Sequence, residues 1–487
     1  MKRLLTVFLS VILVAMLFAN IPVKAAQTKE TIIVNVDGAK HVVRALNHEY
    51  DNNLYISMKD MAYAMNKTGK AFELNWTERD GETIAVLQEV TSGSMTEYDE
   101  PQMLSGDDED NEVKHTRKKV FIELGGNEYC FYAIPVKEDG KNDCYVNLGE
   151  FALAMNIEVM NTNGMVNINS KNEFDFNNYD IEDSGIPYMA DSCLVGDVTT
   201  GKVYYSANAD EVVAIASTSK LMTYLIIMEA VSEGRISLSD TVTFSKKASD
   251  LSKTSNGVIK VEPGKTADIN DVIKGMLIVS SNECALALAE HLSGTEEAFV
   301  ELMNRKVTAL GLSKEARFYN PHGLPVYLDD ELTIKQSNHL KASDMFMIAG
   351  HILDKYPEIT EVTSIKKTNL ASFGNLRVNN TNMLLYNVPG TVGLKTGTTD
   401  KASSCLVSAY EAKDNKGNTH YIVTIVYGAE NAQTQGYVSM LLMRYGIQQF
   451  NTLELGLVPE RGETGEVPEN LDGLVSAVLG AARRNSR

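Results

Sequence analysis

Apolar residues recur along this chain in three rhythms, each marking a different kind of segment. The first is unbroken. Met1-Lys2-Arg3 leads into the apolar run Leu4 to Ala19, and Val23-Lys24-Ala25-Ala26 follows. A basic start, an apolar run and small closing residues are the order of a secretory signal, with cleavage expected after Ala25. The run falls short of the ~20 apolar residues that span a bilayer comfortably. No later segment is long and apolar enough to cross, so the mature protein is expected to work outside the cytoplasmic membrane.

The second rhythm is strand-like, with short helical stretches, and fills residues 27–175. It contains a repeat: Tyr55 to Asn66 matches Tyr145 to Asn156 without a gap. In each copy a β-branched or aromatic run enters a helix whose apolar residues (Met58, Met61, Ala62, Met65; Leu148, Phe151, Ala152, Met155) fall at helical spacing. A strand follows each helix (Thr83 to Leu87; Met165 to Ile168). One supersecondary unit is therefore expected twice. Between the copies, Ser92 to Lys119 carries Asp107-Asp108-Glu109-Asp110 and reads as a solvated excursion.

The third rhythm begins after an acidic, Asn-rich joint from Asn172 to Asp183. Ser192 to Val198 and Lys202 to Tyr205 predict a hairpin around Thr199-Thr200-Gly201, and long apolar helices come next. The helix from Ser217 carries Leu221, Met222, Leu225, Ile226 and Met228 and stops near Glu233-Gly234. Strands return at Thr391 to Thr398, Ser404 to Tyr410 and Tyr421 to Tyr427. Helices enclosed by an antiparallel sheet built from both ends of the segment predict an α+β fold. In the tail, Leu471, Leu474, Val475, Val478, Leu479 and Ala482 lie on one helical face, and Arg483, Arg484 and Arg487 close the chain. The expected organisation is a signal at 1–25, a β-rich domain at 27–175, an α+β domain at 180–450 and a tail at 451–487.

Composition narrows the partners. With a net charge of −19 over 487 residues there is no basic field to replace the counterions of a nucleic acid, and nucleic-acid binding is set aside. Five cysteines are too few for a disulfide scaffold. Cys130 and Cys144 flank a loop with Asp139-Gly140 and could bridge; their Cα separation would decide it. His41, His48 and His115 stand at spacings unlike a metal site.

Three short motifs carry candidate chemistry: Ser217-Thr218-Ser219-Lys220, Ser280-Ser281-Asn282 and Lys395-Thr396-Gly397-Thr398. Alone each is weak, because Ser364-Ile365-Lys366-Lys367, Ser206-Ala207-Asn208 and Lys67-Thr68-Gly69 supply decoys. Context separates the trio. Ser217 opens an apolar helix, and Lys220 lies three residues on, on the same face. A serine needs a neighbouring base, and a lysine serves only if burial or nearby positive charge holds part of it neutral, which Lys395 could help to do. Ser280 and Asn282 stand between an apolar run and a helix, a place suited to a polar loop entering a cleft; taken singly they would be helix caps. Lys395 and Thr396 on a strand can meet the anionic end of an extended peptide, Gly397 lets another backbone approach, and the N–H groups of Ser217 and Thr398 are natural oxyanion donors.

With these motifs in order, residues 180–450 resemble a low-molecular-mass penicillin-binding protein, a serine-type D-alanyl-D-alanine carboxypeptidase with a β-lactamase/transpeptidase-like fold. Tyr319-Asn320-Pro321-His322-Gly323-Leu324, Ala342-Ser343-Asp344-Met345 and Asn380-Thr381-Asn382 carry the likeness further. The resemblance implies that Ser217 is acylated by the penultimate D-Ala carbonyl of a peptidoglycan stem peptide. It implies Lys220 as base, Ser280 as proton relay, Asn282 as holder of the substrate amide and Lys395 as positive charge near the carboxylate. β-Lactam antibiotics would be covalent inhibitors, and no metal or organic cofactor is implied. Ile215 stands where the family commonly has Pro, Ser281 where it has Gly, and Gln435 where an Arg often precedes the last helix. A class A β-lactamase would add a deacylating Glu in a Glu-x-x-Leu-Asn loop, which is not found between Asn282 and Leu340. A transpeptidase or endopeptidase would share the nucleophile and differ in acceptor, and a retired, wall-binding version is disfavoured because no motif residue is missing. Residues 30–170 resemble the copper amine oxidase-like N-terminal domain that serves as a stalk on many secreted bacterial proteins, read here as a spacer or wall-binding module. The tail resembles the family's C-terminal amphipathic anchor, contacting the membrane surface through 471–484.

Overall fold

The computed structural model describes residues 27–456 except 49–53, 67, 69–70, 80–81, 90–117, 125–126, 139–140, 163–164, 174, 177–180, 182–185 and 328–334. The expected signal (1–25), the acidic run Asp107 to Asp110, His115 and the tail helix (471–484) lie outside the described residues.

The twelve-residue repeat folds as two equivalent units. The first comprises β1 (Gln27–Val36), β2 (Ala39–His48), β3 (Leu54–Ser57), α1 (Met58–Met65), β4 (Phe72–Arg79) and β5 (Glu82–Glu89). The second comprises β6 (Lys118–Leu124), β7 (Asn127–Glu138), β8 (Lys141–Asn147), α2 (Leu148–Met155), β9 (Glu158–Thr162) and β10 (Met165–Asn169). Together they form a ten-stranded sheet in the order β4-β5-β6-β7-β8-β3-β2-β1-β10-β9. That order is a palindrome under exchange of the copies. At its centre Ile56 pairs with Val146, the same position of the two repeats, so a local two-fold axis passes between them. Each copy lends its last hairpin to the other: β5 runs parallel to β6, and β10 runs parallel to β1. The helix starts are matched too. Ser57 caps α1 by accepting from Asp60 N, and Asn147 caps α2 by accepting from Glu150 N, each satisfying a helix donor that has no partner within the helix.

Cys130 and Cys144 do not meet. In the β7–β8 pair Cys144 faces Pro135, five residues from Cys130, which at ~3.4 Å per residue is roughly 17 Å along the strand. Five is odd, so the two thiols also point to opposite faces of the sheet, and both are buried and free.

The second sheet has five antiparallel strands in the order β12-β11-β15-β14-β13, with β11 (Ser192–Asp197), β12 (Lys202–Ala207), β13 (Thr391–Thr399), β14 (Ser403–Lys413) and β15 (Thr419–Ala429). Both faces of this sheet are covered. On one side Leu194, Leu394, Val407 and Ile425 join the core of a helical cluster formed by α3 (Lys220–Ser232), α4 (Ile269–Ile278), α5 (Asn282–Ser293), α6 (Glu296–Ala309) and α7 (Ala342–Lys355). On the other, Cys193, Val195, Leu406 and Val426 pack with a closing helix, α9 (Ala432–Phe450); a short α8 (Leu384–Asn387) precedes β13. A Cβ added at Gly446 would stand 2.6 Å from Val195 and 2.8 Å from Ile422, so α9 lies directly on the sheet there.

The N-terminal module shares this second core instead of hanging from a free joint. Arg444 of α9 donates to the carbonyls of Leu153 (3.1 Å) and Ala154 (3.2 Å) in the last turn of α2, where a cation meets the negative end of a helix. Gln433 donates to Tyr55 Oη (2.7 Å) and Glu150 Oε1 (2.9 Å), and Gln448 binds Asp175 (2.9 Å) and the Phe176 N–H (2.8 Å). Asn387 at the end of α8 mimics a strand: it accepts from Cys130 N (2.8 Å) and donates to Cys130 O (2.7 Å). A spacer module would leave these groups in water. Among the described residues no helix is long and apolar enough to cross a membrane.

Because Asn387→Leu would strand two buried backbone groups, we expect it to cost about 2–4 kcal/mol in denaturant unfolding, with the loss centred on the module interface. An unchanged midpoint would show that the two units do not depend on this pairing.

Candidate active site

The helix predicted from Ser217 begins one turn later. Ala216–Ser219 form a 3₁₀ turn, and α3 starts at Lys220. Ser217 is therefore not an N-cap. Ala216 sits at φ +45°, and its carbonyl accepts from Ser219 Oγ (2.6 Å), a tight turn that lifts Ser217 off the helix axis. The turn is held from outside: the Ile215 N–H donates to Asn338 O (3.1 Å), a bond that the proline common at this position would lack.

Four oxygens surround the Lys220 amine. Its Nζ lies 2.9 Å from Ser217 Oγ, 2.8 Å from Asn282 Oδ1, 2.7 Å from the His322 carbonyl and 3.5 Å from Ser280 Oγ. The first two motifs thus meet at one atom. Lys220 is wholly buried, and burial, reinforced by the Lys395 charge and opposed by Glu283, holds its ammonium well below the usual lysine range. Ser280 adopts φ +63°, while Ser281 caps α5 by accepting from Cys284 N (3.1 Å); the capping role belongs to the middle residue and leaves Ser280 and Asn282 facing the amine. Asn282 also donates to Asn256 O (2.8 Å), and buried Glu283 accepts from Val258 N (3.0 Å) and Ile259 N, so the loop 256–259 is tied down behind the site.

The third motif reaches the same place along β13. A Cβ on Gly397 would stand 2.9 Å from Ser217 N and 3.0 Å from Ala216 Cβ, which brings the strand against the 3₁₀ turn that carries Ser217. Lys395 is buried and donates to Thr396 O (2.9 Å); burial pushes its amine down to about 7. Thr398 is exposed at the strand edge, and Thr396 shares a hydrogen bond with Thr381.

Some contributors had a sequence signal without an assignable role. In Tyr319 to Leu324, Asn320 Oδ1 accepts from the N–H groups of His322 (3.2 Å) and Gly323 (2.6 Å), turning the His322 carbonyl onto Lys220. Gly323, at φ +92°, has its missing Cβ 1.9 Å from Ala216 O, so only glycine fits. Asn382 and Ser408 both donate to Gly393 O, at 2.9 and 2.6 Å, and pin the start of β13. Gln435 lies inside α9, buried, instead of ahead of the helix.

Residues 182–431 match the family described as D-alanyl-D-alanine carboxypeptidase. The chain belongs to that family. It is similar to the D-alanyl-D-alanine carboxypeptidase DacF of Bacillus subtilis, 34% identical over 271 residues, which cover 55% of this chain and 65% of that protein. The aligned stretch thus spans a little under two-thirds of that relative. A D-alanyl-D-alanine endopeptidase of Pseudomonas aeruginosa is 32% identical over 234 residues, 46% of this chain and 69% of that protein. Among solved structures, ampicillin-bound penicillin-binding protein D2 of Listeria monocytogenes is 29% identical and covers 53% of this chain and 97% of its own, with a TM-score of 0.46. The carboxypeptidase family match begins after the ten-stranded module.

Burying an amine has a stability cost whose pH dependence follows from Lys395. Between its folded value of about 7 and its ordinary 10.5, the unfolded chain binds more protons than the folded one, so stability rises with pH across that window. Lys395→Met removes the burden. Its thermal midpoint is expected above that of the parent at about pH 6, with the gap narrowing as pH rises from about 7 towards 10. A gap that widened with pH would contradict the assignment.

Proposed function

We propose that this chain is a serine D-alanyl-D-alanine carboxypeptidase that removes the terminal D-alanine from peptidoglycan stem pentapeptides through an acyl-enzyme on Ser217, and that β-lactams acylate the same hydroxyl. The observation that carries the reading is the buried Lys220 amine, 2.9 Å from Ser217 Oγ and depressed in proton affinity. A serine hydroxyl is a weak nucleophile until a base takes its proton, and an amine whose hold on its own proton is weakened by burial can do so.

Lys220 takes the Ser217 proton as Oγ attacks the penultimate D-Ala carbonyl. The N–H groups of Ser217 and Thr398 receive the developing oxyanion, Asn282 holds the substrate amide, and Lys395 with Thr396 faces the terminal carboxylate. Ser280 passes the proton to the departing D-Ala nitrogen, and water then hydrolyses the ester. The chain is exported by its first 25 residues and acts at the cell envelope, with 471–484 contacting the outer face of the cytoplasmic membrane.

A fluorescent penicillin is expected to label the protein covalently, and Ser217→Ala to abolish labelling with the fold retained. Lys220→Ala should slow acylation by about 10²–10⁴-fold. Unlabelled parent protein, or a labelled Ser217→Ala, would sink the reading. Loss of the Lys395 charge above about 7 is expected to slow acylation, a falling limb that should disappear in Lys395→Arg.

A further inference from the structure

A neutral amine carries two hydrogens and one lone pair, and only the lone pair can take a proton. Two of the oxygens around Lys220 Nζ are acceptors with no hydrogen to give: Asn282 Oδ1 at 2.8 Å and the His322 carbonyl at 2.7 Å. When both hydrogens of the amine go to them, the lone pair is left facing Ser217 Oγ at 2.9 Å. Without the carbonyl, one hydrogen is free to turn towards Ser217 and the lone pair turns away from it. The aim of the lone pair thus depends on one backbone carbonyl being held still.

That carbonyl is followed by Gly323, at φ +92°, and a glycine lets the peptide planes on either side of it swing. Both planes are pinned. The plane between His322 and Gly323 is held at its N–H end by Asn320 Oδ1, which accepts from Gly323 N (2.6 Å), and at its carbonyl end by Lys220. The plane between Gly323 and Leu324 is held by the His322 ring, whose Nδ1 accepts from Leu324 N (3.2 Å). The imidazole therefore locks the far side of the glycine that follows its own backbone.

The same bond fixes the state of the ring. An Nδ1 that accepts leaves the ring hydrogen on Nε2, which lies 3.5 Å from Glu296 Oε1 in the first turn of α6. Glu296 stands at a helix N-terminus, where a carboxylate is favoured, and is held at 2.7 Å by Lys247 of the short helix Lys246–Ser252. His322 is buried, and only its neutral form satisfies both contacts: an imidazolium would turn a second hydrogen on Nδ1 against the Leu324 N–H. Burial lowers the proton affinity of the ring below the ordinary 6.5; Glu296 opposes this, and the Lys220 and Lys247 charges add to it.

We propose that His322 is a positioning residue for Lys220: its neutral imidazole, tied to the Leu324 N–H and to Glu296, locks the turn at Gly323, and its carbonyl then holds one hydrogen of the amine so that the lone pair faces Ser217. The proposal deepens the carboxypeptidase reading above and rests on it. A second proton on the ring breaks the bond from Leu324, frees the turn and costs the amine its aim. Acylation is therefore lost on protonation of His322 as well as of Lys220 itself. His322 acts through the amine and not on the substrate.

Acylation of the full-length protein by a fluorescent penicillin, followed as its concentration is varied, separates binding from reaction. His322→Leu offers no acceptor to Leu324, and should lower the limiting acylation rate about 10²-fold while the concentration giving half that rate moves less than about threefold. Asparagine places an oxygen near the position of Nδ1 and does not titrate, so His322→Asn should recover about tenfold or more of that loss. Below pH 6.5 the parent should lose its rate more steeply than His322→Asn, which lacks one of the two protonations. If His322→Leu fails to fold, the acid limbs of the parent and His322→Asn carry the test. An unimpaired His322→Leu, an Asn variant as slow as the Leu variant, or acid limbs that superimpose would overturn the proposal. A parent that takes up penicillin while the variants give any of these results removes this proposal alone; a parent that takes up none removes the carboxypeptidase reading as well.

Discussion

One amine organises the catalytic half of this protein. Lys220 sits wholly out of water, and a buried ammonium is tolerated only where every proton finds an acceptor or where the amine gives one up. Both routes are built in. Ser217, Asn282 and the His322 carbonyl supply close acceptors, while burial and the neighbouring Lys395 favour the neutral form. Each acceptor comes from a different segment, so the 3₁₀ turn at 216–219, the start of α5 and the loop 319–324 must all be placed before the amine can be buried. The glycines at 323 and 397 follow from the same demand, since any side chain there would collide with the 3₁₀ turn at 216–219.

The sheet behind the site is covered on both faces, and that decides how the N-terminal module is joined. Helix α9 fills the face opposite the helical cluster and is buried along most of its length, polar side included. Its outward side presents Gln433, Arg444 and Gln448, and each finds its partners in the module or in the segment leading from it. The ten-stranded sheet, a two-fold pair of swapped halves, thereby becomes a wall of the catalytic unit.

Much of this was legible in local pattern. The repeat Tyr55 to Asn66 and Tyr145 to Asn156 names two strand–helix units, and the hairpin around Thr199-Thr200-Gly201 is set by its turn residues, because these depend on neighbours in sequence. The three motifs were legible as candidates for another reason: the proposed acyl transfer needs a nucleophile, a base and an oxyanion strand, and their order narrows the choice. Local pattern misassigned what depends on the backbone turn. Ser217 lies in a 3₁₀ turn ahead of the helix, and Ser281 rather than its neighbours is the cap. Cys130 and Cys144 looked bridgeable across a short loop, but the strand register sets them on opposite faces.

The sequence by itself determined the element types and the doubled module and singled out the candidate reacting groups, since these rest on periodicity, turn chemistry and residue type. Only the tertiary structure decided that Lys220 is buried against Ser217, that the His322 carbonyl completes its coordination, and that the module packs against the catalytic unit. Those outcomes depend on contacts between residues up to hundreds of positions apart, such as Asn387 with Cys130, and on the desolvation that close packing creates. Neither is written in any local stretch of the chain.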